Sequence, residues 1–83
     1  MSSREVLIIL AHAQMCDRCQ ERLVGDPSTV LRGRAVTDDE RALLSGLTSA
    51  DFACAERLAE ASGHDVSELM EYHDHPVARL RHF

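Results

Sequence analysis

Signals that start and stop helices recur at short intervals along the whole of this 83-residue sequence, and they leave few folds open to it. An apolar-periodic stretch from Arg4 to Val24 stops at Gly25, a residue type that closes helices readily. Asp26 and Pro27 then supply an N-cap and a first-turn proline, and a short turn of helix from Ser28 to Arg32 ends at Gly33. Thr37 followed by Glu40 is a capping box, with Asp38 and Asp39 at the positive end of the helix dipole, and Gly46 closes that helix. Thr48 to Asp51 caps another helix running to about Ser62, closed by Gly63. Asp65 and Glu68 cap the next, and Pro76 opens a last short one with Arg79, Arg81 and His82 in its final turn.

No segment alternates apolar and polar residues as a half-buried strand would, and no hairpin turn separates β-branched runs. The run Val6–Leu10 could be a strand by itself, but it continues without a break into Ala11, His12 and Ala13 and reads as helix. The expectation is an all-α fold: one domain over residues 1–83, built as a small bundle of five or six short helices. A helix-turn-helix-like hairpin is expected near residues 49–72.

Such a chain buries only about 60–65% of its unfolded surface. With no Trp, one Tyr and two Phe, its core has to be made of Leu, Val, Ile and Ala. A metal or a partner chain would reinforce so thin a core. The net charge of −5 argues against nucleic acid and fits a protein whose partners are proteins. The apolar run after Arg4 is too short for a signal peptide, and nothing approaches the roughly 20 apolar residues of a membrane span. The chain is expected to be cytoplasmic and bacterial in type.

The stretch HAQMCDRC, residues 12–19, is where chemistry concentrates. On a continuous helix the i, i+4, i+7 spacing sets His12, Cys16 and Cys19 within about 60° of one another, pointing an imidazole and two thiols into one volume. Zinc takes tetrahedral nitrogen and sulfur ligands, and this trio supplies three of the four. Ile8, Met15 and Leu23 share the same face, so the cysteines also fit a core stripe as small hydrophobes. A third reading is redox or an iron–sulfur centre, although a Cys-x-x-Cys redox motif normally opens a helix after a strand.

His12, Cys16 and Cys19, spaced His-x3-Cys-x2-Cys, resemble the signature of zinc-binding anti-sigma factors, and AHAQMCDRCQERL is similar to the segment where that family's second helix gives way to its third. The resemblance implies zinc on these three residues and a transcription component as partner. The family draws a further ligand from a preceding helix, for which the residues ahead of His12 leave little room. The fourth ligand is therefore sought elsewhere. Cys54 comes first because a third thiolate completes a Cys3His set, and His75 comes second, with His64, His73 and His82 behind them.

Ala59, Gly63 and Leu69 have helix-turn-helix spacing, but Asp65, Glu68, Glu71 and Asp74 would face phosphates with the wrong sign. Only Arg79 and Arg81 have the right one. No phosphate loop, His-Glu-x-x-His pair or nucleophile elbow is present, so the chain is not expected to be an enzyme. The leading expectation is a small zinc-binding regulatory or adaptor protein, anti-sigma-like and thiol-sensitive. The alternatives are a non-catalytic subunit of a larger enzyme and, more weakly, a DNA-binding helix-turn-helix protein.

Overall fold

A computed structural model of the chain describes residues 3–80 and 82, and among them there are only helices, turns and connecting loops. Helix α1 spans Ser3–Met15, α2 Asp17–Gly25, α3 Pro27–Leu31 and α4 Asp38–Ser45. After a 3-10 turn at Ser49–Phe52 come α5 (Ala55–Ser62), α6 (Val66–His73) and α7 (Pro76–Leu80).

The VLIIL run is the axis of the molecule. Every residue from Val6 to Ala13 is buried, because α2, α6 and α7 pack around α1. A helix apolar all round is stable only when enclosed in this way, and its enclosure explains a pattern that mimics a buried strand. Leu7, Ile9 and Leu10 meet Leu23 of α2, Leu31 of α3, Leu44 of α4, Leu58 of α5 and Leu69 of α6 in one aliphatic core, with Phe52 and Tyr72 at its margin. A smaller apolar group, Ile8 and Ala11 of α1 with Ala78 of α7, lies apart from it.

The capping signals at α4, α5 and α6 act as their chemistry requires, whereas Asp26 precedes α3 without a side-chain cap hydrogen bond. Thr37 accepts a hydrogen bond from the Glu40 amide (3.1 Å), and Glu40 accepts one from the Thr37 amide (2.9 Å). Asp65 and Glu68 form the same box at α6. Gly63 closes α5 with φ of 73°, and the His64 amide turns back to the Ala59 carbonyl at 3.0 Å. Glu5 on α1 pairs at 3.6 Å with Arg34, in the loop after α3, and both side chains are largely buried.

Two helices expected to be continuous are broken, giving seven α-helices where five or six were expected. The Arg4–Val24 segment divides at Cys16, which is extended (φ −127°, ψ 106°). The break is one residue wide: the Cys16 amide still reaches the His12 carbonyl, and the Gln20 side chain donates to the Ala13 carbonyl left over at the end of α1. The expected helix from Thr48 to Ser62 divides at Cys54, also extended. On one continuous helix Phe52 and Leu58 would stand about 120° apart, and the break lets both meet the core. No helix among the described residues is long and apolar enough to cross a membrane.

Candidate metal centre

His12 sits near the end of α1, where the surrounding helices leave it 2% exposed. Its Nδ1 lies 2.6 Å from the Ala78 carbonyl of α7. A carbonyl only accepts, so Nδ1 carries the ring proton and Nε2 presents its lone pair. That lone pair faces His82, whose Nδ1 is 3.0 Å away, with the two rings edge to face.

The break at Cys16 shapes the rest of the site. Cys16 is the N-cap of α2, while Cys19 lies buried on the inner face of the same helix. Their sulfurs stand 3.8 and 3.6 Å from His82 Nδ1. The Cys19 backbone amide holds the Cys16 thiol below its ordinary value, helped by the Cys19 side chain, the Arg18 amide and the Arg18 charge. A thiol at a helix N-terminus favours its thiolate in this way, and the thiolate is the form that ligates metals.

The four ligand atoms, from His12, Cys16, Cys19 and His82, all lie within 4.8 Å of one another. A tetrahedral ion with the usual bond lengths to nitrogen and sulfur sets its ligands apart by about 3.3 Å (N to N), 3.6 Å (N to S) and 3.8 Å (S to S). The observed separations, 3.0 Å between the two nitrogens and 3.6 and 3.8 Å from His82 Nδ1 to the two sulfurs, fall close to the N-to-N and N-to-S edges. The Ala78 carbonyl orients the His12 ring as outer partners of metal-bound histidines do. This cluster can hold one metal ion. A shallow cleft of about 420 Å³, lined by Cys16, Arg18, Cys19, Arg22 and His82, opens on one side of it.

Of the residues singled out in the sequence, the structure brings His12, Cys16 and Cys19 together and does not bring Cys54 to them. Cys54 is exposed at the start of α5 and outside the cluster. The chain break that seats Phe52 against the core makes Cys54 an N-cap on the surface. His75 is also elsewhere, stacked on Tyr72 and accepting a hydrogen bond from the Val77 amide at the start of α7. His73 bonds Gln14 across the α1–α6 contact.

The fourth place falls to His82, which carries no local signal in the sequence. It stands 63 residues beyond Cys19 and arrives only because Ala78, small enough to lie against Ile8 and Ala11, lets α7 cross α1 closely. Around the expected helix-turn-helix, α6 turns Ser67, Met70 and Glu71 to solvent, so no basic side chain lines its exposed face. Arg79 is exposed on α7, and Arg81 lies outside the described residues. No family model matches the chain, and neither does any curated protein or solved structure.

Proposed function

We propose that the protein is a zinc protein, with His12, Cys16, Cys19 and His82 as a Cys2His2 ligand set, and that it acts by binding another protein. The observation that carries this reading is the convergence of two nitrogens and two sulfurs, from three separate parts of the chain, within 4.8 Å of one another. Imidazole and thiolate together favour zinc over the hard cations magnesium and calcium. Two thiolates balance the charge of one divalent ion, so the half-enclosed site is neutral when filled. A two-iron cluster with histidines on one iron and cysteines on the other would hold nitrogen and sulfur farther apart than 3.6 to 3.8 Å.

Four protein ligands close the coordination sphere and leave no position for an activated water, which favours a structural metal over a catalytic one. The role is then exerted through surfaces. Met15 and Leu80, each close in sequence to a ligand, are exposed apolar side chains that a protein partner could cover. The likeness of the His-x3-Cys-x2-Cys motif to anti-sigma factors narrows the partner to a transcription component. Reduced thiolate ligands fit a cytoplasmic protein.

Elemental mass spectrometry of protein purified without chelator tests the reading. One zinc per chain is expected, lost in the Cys16→Ser, Cys19→Ser double variant and kept in Cys54→Ser. Protein that is folded and metal-free would refute it.

A further inference from the structure

Helix α7 lies close against α1 but buries little side chain of its own. The main aliphatic core draws on every α-helix from α1 to α6 and takes nothing from α7. Its only buried residue is Ala78, which contributes a single methyl group to the separate contact with Ile8 and Ala11. The larger apolar side chains point outward, with Val77 exposed and Leu80 78% exposed. At five residues α7 is far below the roughly 12–15 that an isolated helix needs to hold its shape.

Among the described residues, the polar ties of this segment to the body converge on one place. The Ala78 carbonyl takes the His12 Nδ1 proton at 2.6 Å, and His82 just beyond the helix meets His12, Cys16 and Cys19. The other hydrogen bonds of α7 among the described residues are local, from the Arg79 amide to the His75 carbonyl, from the Val77 amide to the His75 ring and from the His82 amide to the Leu80 carbonyl. Without an ion, the His82 Nδ1 proton can serve only one neighbour. The two sulfurs at 3.6 and 3.8 Å are then weak partners.

Resting on the zinc reading, we propose that the metal is a latch on the C-terminal segment. Metal bound through His82 holds α7 across α1, and loss of the metal releases α7 while α1 to α6 stay folded. Release uncovers the strip of α1 formed by Ile8, Ala11 and the His12 ring, which α7 otherwise seals. The metal thereby controls access to the central helix of the fold, with no covalent change needed.

Tyr72 reports on the event. It is the sole tyrosine of a chain without tryptophan, it packs on the Ile8–Ala11–Ala78 group, and it stacks on His75 immediately before α7.

The test compares the full chain loaded with zinc and stripped with a chelator. The readouts are native mass for zinc content, hydrogen exchange by peptide, and Tyr72 fluorescence. Stripping is expected to speed exchange of amides in 77–82 by about tenfold or more and to change Tyr72 emission, while amides of α4 and α5 keep their protection. His82→Ala saturated with zinc should exchange like the stripped wild type over 77–82, because three ligands remain on the body but the metal no longer reaches the C-terminal segment. Equal protection of α7 with and without zinc would overturn the latch. So would collapse of α4 and α5 protection together with α7. A chain that carries no zinc in the native mass overturns the zinc reading itself, and the latch with it.

Discussion

Replacing Cys19 by serine separates a metal ligand from an ordinary core residue. Structural zinc in small domains is worth about 10–16 kcal/mol at neutral pH, or roughly 3–4 kcal/mol for each of four ligands. Loss of one ligand should therefore weaken zinc binding by about a hundred- to a thousandfold. Cys19 is buried on the inner face of α2, and a serine hydroxyl there has no comparable affinity for the ion.

At a buffered free zinc level one hundred times the wild-type dissociation constant, linkage stabilises the native state by about 2.7 kcal/mol. A chain of this size gains about 4–8 °C in melting temperature per kcal/mol, so zinc should raise the wild-type midpoint by about 10–20 °C. At the same free zinc, the Cys19→Ser variant should gain less than about 3 °C, since the site is then mostly empty. Cys54→Ser, altering an exposed N-cap outside the cluster, should keep the full shift. Circular dichroism melts in zinc-buffered solution decide the matter. An undiminished zinc shift in Cys19→Ser, or its loss in Cys54→Ser, would refute the ligand assignment.

Three further outcomes concern the scaffold. Arg34→Met removes the cation 3.6 Å from Glu5, whose side chain is 14% exposed, and should cost about 2–4 kcal/mol by urea denaturation; a loss below about 0.5 kcal/mol, as for a surface pair, would show the pair to be solvated. Thr37→Ala removes one side of the α4 capping box and should cost about 1 kcal/mol in the same assay, while no change would mean that the observed hydrogen bonds carry no net energy. Gly63→Ala meets no atom within 4 Å but must hold φ at 73°, so it should cost about 1–2 kcal/mol from the backbone alone; a neutral result would contradict the left-handed closure of α5.

What the sequence made legible follows from the range of the forces involved. Capping boxes at Thr37 and Asp65 and the glycine closure at Gly63 are local chemistry within a few residues, and each stands where the pattern placed it. The three residues His12, Cys16 and Cys19 come together as neighbours in sequence, although across the break at Cys16 and not along the continuous helix on which their spacing was read. The breaks at Cys16 and Cys54 were not legible. No proline or glycine marks them, and each arises because the core accepts side chains that one straight helix would point apart.

The Cys54 expectation weighed donor chemistry without a position in space, and the structure leaves that residue outside the cluster. His82 was hardest to see. Its place depends on α7 crossing α1 at Ile8 and Ala11, a contact between chain ends that no spacing rule encodes.

X-ray absorption at the zinc edge, on protein purified without chelator, tests the central claim most directly. A single zinc per chain with two sulfurs at about 2.3 Å and two nitrogens at about 2.0 Å is the predicted result. Three sulfurs in the shell would put Cys54 in place of a histidine and contradict the site. So would oxygen-dominated coordination, or folded protein without metal.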